Sequence, residues 1–348
     1  MTKSRRFPAE WEKQSGILLC FPANGNDWPG KYQAIQWAFV EFIKKVSEYE
    51  SVYLMVANED LKEKVAEMLD RANVDSDKIQ YIIEKTNRSW MRDSGPIIVE
   101  NDDKSKEAIN FNFNGWAKYK NYRLDKNVPE SVGKALGLPV TVATYNGKPV
   151  VLEGGAIDTN GKGTIMTSEE CLLHPDIQVR NAGFTKEDYE AVFKEYLGAT
   201  NVIWLGNGVE GDDTHGHIDD LCRFVDEDTI VTVVESDSKD ANYKALQDNL
   251  ERLKNATLEN GKAPKIVELP MPKKLVFEDL RLPASYANFL IVNGAVLVPT
   301  FNDPNDRKAL NILADCFPDR EIIGISAIDL IWGFGTLHCL SQQIPVLG

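Results

Sequence analysis

The sequence predicts an α/β fold assembled from repeated mixed modules, and three observations point there. Short apolar runs alternate with charged stretches of helical periodicity from end to end. Many of the helices are separated by more than one such run, and Asn293-Gly294 joins two runs in the manner of a two-residue hairpin turn. No low-complexity linker interrupts the 348 residues. Hairpins that break strict β-α-β alternation favour mixed modules over a plain doubly wound sheet. Length alone allows one large domain or two to three ordinary ones, and no sharp repeat of fixed period is visible.

The first strand is expected at residues 16–21, closed by Pro22. A helix near 32–49 follows, because Ile35, Phe39, Phe42, Ile43 and Val46 recur at three- and four-residue steps. A strand at 51–57 leads to a helix near 60–72, for which Asn58 or Asp60 can serve as cap. Strands are expected at 79–83, 96–99, 108–113, 150–152, 164–167, 201–205 and 229–234, with helices at 130–136, 186–197 and 240–255. The last part reads as strands at 265–268, 288–292, 295–299 and 321–325 and a helix at 306–316.

Hydrophobic residues make up 43% of the chain and charged residues 26%, values that suit a soluble globular protein. A net charge of −14 argues against a nucleic-acid partner and suits a small cation. The five cysteines are widely spaced with no C-x-x-C pair, so free thiols in the cytoplasm are expected and no structural zinc site is announced. The N-terminal stretch has no apolar run of a signal peptide, and no segment approaches a membrane span. A homo-oligomer stays open.

Reactive groups gather in four turn-prone places. Trp90–Pro96 sets Asp93 beside an aromatic and before a Gly-Pro turn, where it can cap the turn or receive a cation. Glu153 stands before Gly154-Gly155, which permits close backbone approach or simply a turn. Gly211–Asp220 is the richest: if extended, it puts Asp213, His215, His217 and Asp219 on one face, for metal ligation or acid/base work. Cys339 follows Gly333-Phe334-Gly335, whereas the other cysteines read as structural.

Taken in order, Pro8–Glu12, Trp90–Pro96, Glu153–Gly155, Glu169–Leu172, Gly211–Asp219, Pro283–Asn288 and His338-Cys339 resemble the agmatine deiminase family, close to the bacterial peptidylarginine deiminases. The resemblance implies a five-bladed α/β propeller (the pentein fold) of pseudo-fivefold ββαβ modules, as a single catalytic domain over 1–348. It implies Cys339 as nucleophile, His217 as general acid/base, Asp93 and Asp219 as guanidinium carboxylates and Glu153 as the partner that orients His217. The expected reaction is hydrolysis of agmatine to N-carbamoylputrescine and ammonia, a cleavage of a C–N bond in a linear amidine with no metal and no organic cofactor. One departure is Phe334-Gly335-Thr336-Leu337, where the family more often carries Gly-Gly-Asn-Ile; Phe334 is expected to narrow the site. His215 receives no catalytic role. Trp90 and Asp213 are the candidates for the ammonium end of agmatine.

The chemistry fits these groups. Carboxylates clamp a planar guanidinium through forked, charge-assisted hydrogen bonds, and a thiolate attacks its carbon at a pH where hydroxyls stay protonated. A free amino acid would need an arginine for its carboxylate; none lies within the motif preceding Cys339, although Arg92 and Arg223 stay open for that role. Three alternatives remain. The substrate could be another arginine derivative, the chain could be a metal-dependent amidohydrolase using His215 and His217, or it could be a non-catalytic binder of polyamines or of a protein.

Overall fold

In the computed structural model, which describes residues 4–347, the hairpin-plus-crossover pattern repeats. Five sheets share one topology: two strands pair antiparallel, and a crossover then leads to a third strand parallel to the second. Ile97–Asn101, Lys106–Asn110 and Val140–Val142 form one set, and Asp158–Thr159, Thr164–Ser168 and Asn201–Leu205 the next. Cys222–Phe224, Thr229–Val234 and Lys265–Pro270 form a third, and Leu290–Val292, Ala295–Thr300 and Glu321–Ser326 a fourth. Their crossovers carry the helices Val128–Leu136, Lys186–Leu197, Asn242–Lys254 and Asp306–Cys316.

The fifth set joins distant parts of the chain. Ser341–Pro345 pairs antiparallel with Gln14–Cys20, which runs parallel to Ser51–Val56 after the helix Tyr32–Ser47. A second crossover helix, Glu59–Arg71, adds the parallel strand Ile79–Ile83. The middle strands are buried on both faces, which is why Ser51–Val56 and Ala295–Thr300 read as continuous apolar runs rather than alternating ones. Helix ends follow local chemistry. The Asn58 side chain accepts from Leu61 N at 2.8 Å, and Thr185 and Asp188 form a reciprocal capping box. Gly198, at φ +72°, ends the latter helix.

The expected helices are present, with edges shifted by a few residues; one starts at Val128, where Pro129 occupies its first turn. Two expectations are corrected. Residues 150–152 make only an isolated bridge, Val151 to Asn112, because the chain turns there into Gly154–Ala156. The segment 211–220 is not extended. Gly211 and Gly216 take positive φ, and the Asp212 carboxylate folds the loop back by accepting from Thr214, Gly216 and His217 N. Period two therefore fails, and Asp213 and His215 leave the face that His217 and Asp219 share. Among the described residues no helix is long and apolar enough to cross a membrane.

One regularity positions the chemistry. The residues just before the first strand of each set include Asp93, Glu153, His217 with Asp219, Asn288, and Cys339.

Candidate active site

Cys339 and Asp93 line one cavity of about 330 Å³, walled by Trp90, Trp116, Tyr119 and Phe334. Cys339 sits on a turn closed by Leu340 N donating to Thr336 O at 3.1 Å, immediately before Ser341–Pro345. Glycine is required beside it: a Cβ on Gly335 would lie 2.7 Å from the Trp90 ring and 3.0 Å from Cys339 Cβ. Asn288 Nδ2 donates to Sγ at 3.0 Å, while its Oδ1 accepts from Thr336 Oγ1 at 2.7 Å and His338 N at 3.1 Å. One amide thus fixes both the thiol and the loop that carries it.

Asp219 Oδ2 lies 3.6 Å from Sγ, and Asp219 Oδ1 lies 4.0 Å from His217 Nδ1, so the thiol and the imidazole flank one carboxylate. Asp93 Oδ1 is 3.8 Å from the same Nδ1. Trp116 Nε1 donates to Asp93 Oδ2 at 2.8 Å and Gly155 N to Oδ1 at 3.1 Å, which aims the carboxylate. Behind the ring, Glu153 Oε2 lies 3.8 Å from His217 Nε2, an ionic rather than a hydrogen-bonding distance. Neither ring nitrogen has a hydrogen-bond partner, although the residue is only 1% exposed. A buried polar group left unpaired is costly unless something completes it.

The electrostatics follow from burial. Desolvation pulls His217 down, but Asp93, Cys171 and Glu153 outweigh it and raise the imidazole well above its usual value. Desolvation raises the Cys339 thiol far above the usual range, and Asp219, Asp220 and Asp93 add to it against the Asn288 amide. Burial pushes Asp93 up to about 6 despite His217. Burial also works on Glu153, yet Arg180 and His217 hold it at about 2. Both shifts act the same way, favouring a charged imidazole and a neutral thiol.

The family profile of the Porphyromonas-type peptidyl-arginine deiminases matches residues 6–345. The chain belongs to that family. Among the relatives of this chain, the agmatine deiminase of Pseudomonas syringae pv. tomato is 33% identical, over 97% of this chain and 95% of its own. The agmatine deiminase of Enterococcus faecalis superposes with a TM-score of 0.89 at 28% identity, covering 99% of this chain and 97% of its own. A cysteine-to-serine variant of the C. jejuni agmatine deiminase, solved with substrate bound, gives a TM-score of 0.86 at 32% identity, over 98% and 96% of the two chains. The α/β fold of this chain is that of agmatine and peptidyl-arginine deiminase structures.

Of the residues expected at the site, Asp93, Glu153, His217, Asp219 and Cys339 come together, with Trp90 and Asp213 on the cavity wall. Asp213 is already engaged, by Lys118 and by the Tyr119 hydroxyl at 2.6 Å. His215 stays apart: its Nε2 faces Glu170 at 3.5 Å and its ring packs on His174. Among the described residues, the donor groups close enough to share an ion are Glu153–Cys171–His217 and Asp219–Asp220–Cys339, so His215 and His217 do not form one ligand pair.

Several partners of these residues received no such role from the sequence, although Glu10, Arg92 and His338 lie within the motifs quoted above. Arg180 holds Glu153 through Nε at 3.1 and 3.2 Å. His338 bridges Asp219 at 2.7 Å and Glu10 at 2.9 Å. Glu10 in turn takes Arg223 at 2.6 Å, with Arg92 at 3.7 Å. Arg92 and Arg223 are thus committed to the interior and not free for a substrate carboxylate. Cys171, read as structural, lies within 4.8 Å of donor atoms of Glu153 and His217.

Proposed function

We propose that this chain is an agmatine deiminase, hydrolysing agmatine to N-carbamoylputrescine and ammonia through a covalent thiouronium on Cys339. The observation that carries it is the convergence of Cys339 Sγ and His217 Nδ1 on Asp219, with Asp93 in the same cavity. We also infer a five-bladed propeller: five sets of common topology, each presenting residues at the entry to its first strand, suit a ring around a central site. Residues 1–348 then act as one catalytic unit. Five free cysteines suit the cytoplasm.

Asp93 and Asp219 clamp the guanidinium and hold its carbon against Sγ. The bound cation offsets the carboxylates that raise the thiol, so Cys339 ionises in the complex and its proton passes to solvent. Thiolate attack forms a C–S bond and a neutral tetrahedral adduct. Charged His217 gives its proton to one amino group, which leaves as ammonia and breaks the C–N bond. Neutral His217, oriented by Glu153, then takes a proton from water as that water attacks the thiouronium carbon. Collapse breaks the C–S bond, leaving the ureido product, the thiolate and charged His217; the hydroxyl proton is released and converts ammonia to ammonium.

The test is ammonia release from agmatine, arginine and an arginyl peptide by wild type and Cys339→Ser. Wild type should prefer agmatine, and the variant should lose about a thousandfold or more. Equal rates for the two proteins would overturn the nucleophile. A preference for the peptide would overturn the substrate while leaving the chemistry intact.

A further inference from the structure

Across Trp116 from Asp93, the cavity wall holds more carboxylate than cation. Trp116 donates to Asp93 from its indole nitrogen, and Arg88 Cζ sits 5.7 Å from the centre of its ring. Arg88 pairs with Asp27 Oδ1 through Nη1 and with Asn121 Oδ1 at 2.6 Å through Nη2, and it stacks on Tyr119 with Cζ 4.3 Å from the ring centre. Lys118 and Tyr119 between them occupy both oxygens of Asp213. Behind Arg88, Asp125 Oδ1 accepts from Asn87 N at 2.9 Å and Arg88 N at 3.0 Å. On the wall itself Asp27 and Asp213 stand against Arg88, while Lys118 pairs with Asp213 from outside the lining and Asp125 accepts from backbone amides.

The surplus is localised. Asp27 Oδ2 and Asp125 Oδ2 are buried without a hydrogen-bond partner, and of these two residues only Asp27 lines the cavity. Asp27 is 7% exposed. Burial pushes its carboxyl up to about 6 despite Arg88, and an arriving cation would favour its charged form. The walls between Asp93 and Asp27 are Trp90, Trp116 and Tyr119, surfaces that suit an alkyl chain and an ammonium together.

Building on the agmatine deiminase reading, we propose that Asp27 is the receptor for the substrate's distal ammonium and so sets the preference for an aminoalkylguanidine. Asp213, both of whose oxygens are taken by Lys118 and Tyr119, lines this subsite without a free acceptor, whereas Asp27 keeps Oδ2 free beside its pair with Arg88. Arg88, taken by Asp27 and Asn121, is withheld from a substrate carboxylate.

The experiment compares agmatine with n-butylguanidine, which lacks only the ammonium, in wild type, Asp27→Asn and Asp27→Ser. The ratio of kcat/KM for the two substrates is internal to each preparation, so loss of folded protein cancels from it, and two variants guard against one failing to fold. Wild type should favour agmatine at least tenfold. Both variants should cut that ratio at least tenfold, through KM for agmatine, with butylguanidine kinetics little changed. An unchanged ratio in the variants, or an equal loss on both substrates, would overturn the assignment. If wild type handles the two substrates equally, recognition of the ammonium fails while the deiminase reading stands. If wild type releases ammonia from neither, the deiminase reading itself fails.

Discussion

A single missing carbon atom makes room for the imidazole. A Cβ on Gly155 would sit 2.5 Å from His217 Nδ1 and 2.9 Å from Asp93 Oδ1. Gly155→Ala is therefore expected to displace the ring and cut ammonia release about a hundredfold, with the circular dichroism spectrum retained. Activity within twofold of wild type would mean that His217 does not need the position it holds. At this scale the sequence singled out the candidate residues that the fold brings together. Asp93, Glu153, His217, Asp219 and Cys339 stand out by type and by their glycine-rich settings. Their partners did not. Glu10 and His338 are 328 residues apart, and Arg180 is an ordinary arginine until the fold lays it on Glu153. The same limit misplaced His215: alternation is informative only in a strand, and the Asp212 carboxylate turns that segment into a loop.

The strand Ser341–Pro345 shows what an element can hide. Its sequence, SQQIP, has one large apolar residue, so periodicity gave no reason to expect a strand there. All five positions are nevertheless buried; Gln343 Oε1 accepts from Arg92 Nη1 at 2.5 Å, while Gln342 Oε1 is buried without a hydrogen-bond partner. Ile344, 1% exposed, packs with Leu18, Cys20 and Met91. Ile344→Ala should cost about 3 kcal/mol in urea unfolding. A loss below about 0.5 kcal/mol would show that the pairing with Gln14–Cys20 contributes little. By contrast, the longer apolar strands and the amphipathic helices were readable, since burial on two faces or one stripe leaves its mark on composition, whereas the short strands Val140–Val142, Asp158–Thr159 and Cys222–Phe224 were not.

For the whole molecule, buried carboxylates set the response to pH. Burial raises Asp27 and Asp93 to about 6, and Glu50 and Asp125 to about 7. The unfolded chain has released those protons already, so stability falls as pH climbs from 3.8 or 4.5 through the folded values. Glu10 and Glu153 have the opposite sense: burial raises them, but Arg223 and Arg180 overcome it, so their contribution is present above 4.5 and lost in acid. His217, raised well above 6.5, adds stability below 6.5 that disappears as pH rises through its folded value. The melting temperature should therefore peak near pH 4.5, where the lowered acids have ionised and the raised ones have only begun to lose ground, and decline on either side. A melting temperature that rises steadily from there into alkaline buffer would contradict this balance. The modular plan at this scale was legible in the hairpin-broken alternation. The joining of Ser341–Pro345 to Gln14–Cys20 was not, because it depends on distant segments.

That joining works like a buckle whose tongue carries the sulfur. Mild denaturant that slips the tongue would silence turnover while the other four sheets still give a folded spectrum, so enzymatic death should precede melting.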